Sequence, residues 1–176
     1  TVNIIYDVDQ GDKATIDKIK FIGDKKFKDR KLKGVITSEE DKPWKFISKR
    51  IYLDIERVNL DKRLLKNFFL DKGFYQVDIT DAYSQILNQK DFELIYNINA
   101  GEKFYFGDFD IILPEDFDIR KFDDLNNFFI KIKGEKYSYK NIEKILDKIE
   151  KIALYQNYEF IDAKVIEKIN GDKINF

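Results

Sequence analysis

Along the chain, apolar residues switch between two spacings, and the switches divide it into elements. From Ala14 to Ile22, Ile19 and Phe21 alternate with Lys18 and Lys20, the period of a half-buried strand, and Gly23-Asp24 supplies a turn. Leu32, Val35 and Ile36 then follow three- and four-residue spacing behind Asp29, which predicts a helix capped by the Asp29 carboxylate. Residues 37–60 are less regular, with Pro43-Trp44 in the middle. A second helix runs through Leu64, Leu65, Phe68, Phe69 and Leu70 to Gly73, the residue type that most easily turns left-handed past a helix end. Two strands follow. Tyr75, Val77, Ile79, Asp81 and Tyr83 share one face, and Phe92, Leu94, Tyr96 and Ile98 share another. Asn88-Gln89-Lys90 between them reads as a hairpin.

The order strand, helix, helix, strand, strand then starts again. Ile5-Tyr6-Asp7-Val8-Asp9-Gln10-Gly11-Asp12-Lys13 recurs 90 positions on as Ile95-Tyr96-Asn97-Ile98-Asn99-Ala100-Gly101-Glu102-Lys103. At the same shift Ile19 meets Phe109, Phe21 meets Ile111, and Phe27 to Leu32 meets Phe117 to Phe122. Later the shift is 84, with Leu70, Gly73 and Phe74 matching Leu154, Asn157 and Tyr158, and Phe92 matching Phe176. The first copy therefore carries extra residues between its matching blocks. In copy two the pattern predicts a strand over 104–113, helices over 120–130 and 139–155, and a strand over 159–169. Asn170-Gly171-Asp172 is a hairpin signal, after which the last strand has barely begun when the sequence stops. Residues 1–12 read as the last strand of a preceding unit, 13–102 as a complete unit, and 103–176 as a second unit truncated before its last strand. Residues 2–9, an orphan strand on this reading, are expected to pair with a sheet edge of a neighbouring molecule.

Composition narrows the chemistry. The 176 residues contain no Cys, so disulfides, zinc ribbons and thiol nucleophiles are excluded. They contain no His, the commonest general base. Met is absent as well and the sequence opens on Thr1, so it reads as a segment of a longer or processed chain. The 32 basic and 33 acidic residues are interspersed, as in Asp147-Lys148-Ile149-Glu150-Lys151, which describes a solvated surface. A nucleic-acid footprint needs clustering of one sign, so an α+β nucleic-acid-binding module is the weaker reading. Hydrophobic content of 43% argues for a folded core, and no apolar run is long enough to span a membrane as a helix.

A β-α-α-β-β unit of this size, repeated in tandem through Gln10-Gly11 and Ala100-Gly101 and carrying the step Gly73-Phe74, resembles the POTRA domain. Within that family the chain resembles the third and fourth of the five POTRA domains of BamA-like outer-membrane assembly factors. The long first copy with Asp41-Lys42-Pro43-Trp44, and Phe69-Leu70-Asp71-Lys72-Gly73-Phe74, resemble the third in particular. Asn157 departs from the pattern, since many members keep Gly there. The resemblance implies an α+β fold of tandem POTRA domains, each a small three-stranded mixed sheet packed on two helices. It implies a periplasmic location, no cofactor, no catalysis and no nucleic acid. Its implied partners are unfolded outer-membrane proteins, accessory lipoproteins of the assembly complex and a C-terminal membrane barrel of the same full-length chain. A POTRA segment of a two-partner secretion or import pore is the alternative within the family. The implied exposed edge is the strand after the second helix: Tyr75, Gln76, Val77, Asp78, Ile79, Thr80, Asp81 and Ala82. Such an edge binds an extended chain through main-chain N–H and C=O groups, independently of most side chains.

The remaining chemistry reads as structural. The acid pairs Glu39-Glu40, Glu115-Asp116 and Asp123-Asp124 lack the spacing of a calcium loop and read as solvated acids. The glycines are scattered singly, so there is no phosphate loop, and Ser84 and Ser138 have no partner that spacing reveals. Phe68, Phe69, Phe74, Tyr75, Phe128, Phe129, Tyr155 and Tyr158 lie mostly on periodic apolar faces and read as core rather than as a client-binding surface. Trp44 reads as a plug against a neighbouring unit, or failing that as an exposed anchor.

Overall fold

The computed structural model describes residues 14–44, 48–86, 91–113, 118–156 and 163–176. They form two compact units. The first holds the described residues up to Leu65 together with Ile79–Asn99, and the second holds Lys66–Asp78 together with those from Ala100 to Phe176.

The first unit is built on strands β1 (Thr15–Asp24), β2 (Asp78–Ile86, of which it holds Ile79 onward) and β3 (Asp91–Asn99) with helices α1 (Asp29–Lys33) and α2 (Ile55–Leu70, of which it holds the part up to Leu65). Its sheet runs β1-β3-β2. β1 and β3 are parallel, from Thr15 opposite Asp91 to Asp24 opposite Asn99, with a bulge between Ile16 and Lys18. β2 reaches β3 through four residues, too few for a parallel crossover, so that pair is antiparallel. The alternation in β1 and β3 explains the core: Ile19, Phe21, Leu94, Tyr96 and Ile98 are all buried, and the rings of Phe21 and Tyr96 stack with centroids 5.6 Å apart. The central strand also buries Glu93, whose carboxylate is ion-paired with Lys20.

The second unit repeats the plan with β4 (Tyr105–Phe106), α3 (Asp123–Ile132), α4 (Tyr139–Tyr155), β5 (Lys168–Asn170) and β6 (Lys173–Asn175). Its sheet runs β4-β6-β5, with β4 parallel and β5 antiparallel to the central β6. Phe106, Leu125, Ile132, Ile142, Ile145 and Ile174 form its core, and Phe109 stacks on Phe129 at 4.5 Å. The bulge recurs too. Phe106 lies opposite Ile174, and the Phe176 N–H then bonds the Asp108 carbonyl while the Asp110 N–H bonds that of Phe176. That leaves one extra residue in the first strand, as in β1. The equivalents of Phe92 and Leu94 are therefore Ile174 and Phe176, a spacing of 82 rather than the 84 the sequence match suggests.

The end of α2 is closed as its sequence predicts. Gly73 sits at φ +93°, the Phe74 N–H bonds the Phe69 carbonyl (3.1 Å) and the Gly73 N–H bonds that of Leu70 (3.2 Å). This is a Schellman motif, and the Phe69 and Phe74 rings supply its hydrophobic contact at 5.8 Å.

Several expectations need correction. α1 is only five residues long, and Asp29 is its first helical residue, paired with Lys25 instead of capping, so Val35 and Ile36 fall beyond it. β2 starts at Asp78, because residues 75–76 form a turn in which the Val77 N–H bonds the Phe74 carbonyl. The strand expected over 104–113 is regular only at Tyr105–Phe106, and α3 starts at Asp123 behind a 3₁₀ turn, Ile119–Phe122. The last strand of copy two, expected to be missing, is present over Lys173–Asn175 in the central position. The orphan strand 2–9, Asn157, Tyr158 and Glu115-Asp116 lie outside the described residues.

Candidate functional site

β2 stands at one end of its sheet, with β3 as its neighbour. Of the eight residues expected to form the edge, Asp78, Ile79, Thr80, Asp81 and Ala82 lie on β2. Asp78 and Thr80 are exposed while Ile79 is buried, so one side of the strand faces the core and the other water. Tyr75, Gln76 and Val77 precede the strand. Val77 is buried, Gln76 is exposed, and Tyr75 packs its ring on Phe104 (5.7 Å) and Tyr137 (5.0 Å) and donates its hydroxyl to Glu167. Burial, and next the bond to the Glu167 carboxylate, push the Tyr75 hydroxyl up to about 12. Tyr75 is therefore part of the second unit's packing, and the strand edge proper is Asp78 onward.

The opposite end of that sheet is covered. The Leu53 N–H bonds the Ala14 carbonyl (2.9 Å), the Asp41 N–H bonds that of Ile16 (2.7 Å), and Thr15 bridges Tyr52. Further along β1, the Ile19 N–H donates to Glu40 Oε1 (3.1 Å) and Lys25 Nζ donates to the Phe21 carbonyl (3.0 Å). Glu40 is held by Lys33 and by Lys42, 3.7 Å away. Burial raises its carboxyl pKa, but the Lys33 and Ile19 hydrogen bonds and the two ammonium charges outweigh it and hold the group below its ordinary value. Glu40 thus departs from the solvated acid expected of it.

Asp61 is not among the site residues the sequence predicts, yet it is fully buried. It lies on the inward stripe of α2 between Val58 and Leu65 and accepts bonds from the Thr37 N–H (2.6 Å), Thr37 Oγ1 (2.7 Å), the Ser38 N–H (3.2 Å) and the Tyr96 hydroxyl (2.8 Å). Burial first and the Asp61 charge second raise the Tyr96 hydroxyl pKa. The signal was an acid at a three- and four-residue apolar spacing, where a carboxylate survives only with several donors. The network ties the segment after α1 to both α2 and β3.

The other candidates resolve structurally. Ser138 donates its hydroxyl to Asp71, which also accepts the Lys140 N–H at the start of α4. Phe69 and Phe74 are buried, Phe68, Phe128 and Phe129 are half-buried, and Tyr155 is 84% exposed on the last turn of α4. Trp44 is 72% exposed with Lys42 Nζ over its ring. Among the described residues no group of acids is arranged to hold a metal ion, and no helix is long and apolar enough to cross a membrane.

Comparison with known proteins gives consistent results. The family profile POTRA, described as "Surface antigen variable number repeat", matches residues 14–101, half of the chain. The outer membrane protein assembly factor BamA of Buchnera aphidicola subsp. Acyrthosiphon pisum (strain APS) is 24% identical over 168 residues, 94% of this chain and 26% of that protein. The protein of the same name from Neorickettsia risticii (strain Illinois) is 26% identical over 106 residues, 60% of this chain and 14% of that protein. The chain thus spans about a quarter or less of the length of these relatives. The crystal structure of Haemophilus influenzae BamA POTRA3-5 matches with a TM-score of 0.73 at 13% identity, over 96% of this chain and 66% of that one. At that identity the match establishes the fold alone.

Proposed function

Because the chain belongs to the POTRA family, we propose that it is a periplasmic scaffold segment of an outer-membrane β-barrel assembly protein that binds extended polypeptide along the β2 edge. POTRA domains of such assembly factors are the periplasmic part of an outer-membrane protein. The clients are unfolded outer-membrane proteins and the accessory lipoproteins of the assembly complex, and the full-length chain carries a C-terminal membrane barrel. Residues 13–102 act as a third-like domain and 103–176 as a fourth-like one.

The supporting observation is a nine-residue strand at the end of a sheet whose other end is covered. Alternate residues of β2 turn their N–H and C=O groups away from β3, so an added strand makes about eight to ten hydrogen bonds. At about 0.5–1.5 kcal/mol each, these offset an association cost of about 4–15 kcal/mol with little to spare. Such binding is weak, reversible and tolerant of sequence, as a module that must release many different clients requires.

Proline tests it. Of Ile79 and Thr80, one N–H points at β3 and the other away, so one proline weakens the sheet and the other removes only an outward donor. In the full-length protein, the proline variant that leaves unit stability intact should lose client crosslinking at β2. Undiminished crosslinking by that variant would end the proposal.

A further inference from the structure

Each sheet has two ends, and in each unit the connector between the two helices covers the outer side of the first strand. In the second unit this is done by main chain alone. The Gly134 N–H bonds the Phe106 carbonyl (2.8 Å), the Phe106 N–H bonds that of Glu135 (2.9 Å), and the Tyr137 N–H bonds that of Phe104 (2.9 Å). β4 is only two residues long, so these bonds cover it. β1 has ten residues, and among the described residues connector main chain, from Asp41 and Leu53, meets only its start. Past the bulge the outward groups belong to Ile19 and Phe21, and they are met by two side chains of opposite charge, Glu40 and Lys25. Each side chain is held in turn, Glu40 by Lys33 and Lys42 and Lys25 by Asp29.

We propose that the helix connectors are edge guards that confine strand addition to the β2-type edge, and that Glu40, seconded by Lys25, is the guard of the first copy. Charged groups at a sheet edge are a known way to prevent unwanted pairing. Here the extra length of the first copy's connector delivers a carboxylate to an N–H that main chain does not reach. An incoming extended chain would have to displace a carboxylate anchored by two lysines. The inference rests on the strand-addition reading above in naming which edge stays open, but the guard itself is tested independently of it.

The test uses this chain with Glu40→Ala, Glu40→Gln, Lys25→Met and the double variant Glu40→Ala/Lys25→Met. Amide hydrogen exchange at Ile19 should accelerate about tenfold or more in Glu40→Ala and stay within about threefold of wild type in Glu40→Gln, which keeps an acceptor oxygen. With a ten-residue peptide of alternating valine and threonine as probe, wild-type amide shifts should be confined to β2 in the first unit. The double variant should add shifts at residues 18–22. Without peptide, the double variant should also self-associate in sedimentation velocity while wild type does not. If Glu40→Ala does not fold, Lys25→Met alone should expose the Phe21 carbonyl and bring new shifts there. Unchanged Ile19 exchange in a folded Glu40→Ala chain overturns the proposal. So does a double variant that neither takes peptide at β1 nor self-associates. If wild type takes no peptide at β2 while the double variant still self-associates through β1, the guard stands and strand addition at β2 fails.

Discussion

Removing the Asp61 carboxylate should loosen the first unit from the connector outward. Asp61→Ala takes away the acceptor of four hydrogen bonds. Thr37 is half-buried and can turn to water, but the Ser38 N–H and the Tyr96 hydroxyl are buried and would both lose their carboxylate acceptor, the hydroxyl keeping only its bond to the Ser38 side chain. At about 1–3 kcal/mol for each orphaned group, the loss is about 2–6 kcal/mol. Tyr96→Phe alone removes one bond to a charged acceptor, a loss of about 1.5–3 kcal/mol. Placed on top of Asp61→Ala, the same change removes only the bond between the Ser38 and Tyr96 hydroxyls and should cost much less. A double-mutant cycle should therefore give a coupling of about 1.5–3 kcal/mol. Amide exchange of Leu94, Tyr96 and Ile98 is the assay, since it reports the first unit even where the two units unfold separately. Because the network anchors Thr37 and Ser38, just before Glu40, Ile19 exchange should rise along with it in Asp61→Ala. Equal effects of Tyr96→Phe in both backgrounds would refute the network, and unchanged Ile19 protection would refute its link to the edge.

Gly73→Ala puts a side chain at φ +93° without a steric clash, the nearest atom being the Phe104 carbonyl oxygen at 3.5 Å. It should cost the second unit about 1–2 kcal/mol, read from thermal melting. At Gly107 an added methyl overlaps Asn175 Oδ1, which accepts the Asp108 N–H (2.9 Å) at the bulge. Gly107→Ala should destabilise by about 1 kcal/mol or more through that lost bond, and less when combined with Asn175→Ala, so additive effects would contradict the contact. Glu40 has a folded pKa below its ordinary 4.5, so it adds stability that is present above that pH and is lost as pH falls through the folded value. Acid titration of the first unit, followed by exchange of β3 amides, should be flatter in Glu40→Gln than in wild type.

What the sequence revealed follows from the range over which each signal acts. The bounds of α4, the turn at Gly171-Asp172 and the left-handed Gly73 depend on neighbours a few residues away, and they are where local spacing puts them. The order of elements along the chain in both units followed from the repeat, whereas the central place of the last strand came only from the structure. Short α1 was missed because Gly34 ends it before Val35 and Ile36 can use their helical spacing. Tyr75 continues the alternation of β2 in sequence, but its ring is claimed by Phe104 and Tyr137, far along the chain. The partners that give Glu40 and Asp61 their roles were illegible for the same reason. The role of such a carboxylate depends on which strand lies across from it, and the strand partners, Ile19 for Glu40 and Tyr96 for Asp61, lie 21 and 35 residues away.

Strand addition itself is best tested by amide exchange of the full-length protein with and without a bound outer-membrane client segment. Protection should appear at alternate residues of β2, between Asp78 and Ile86, with Ile19 unchanged because Glu40 already holds it. Client binding that leaves β2 unprotected, or that protects β1 instead, would contradict it.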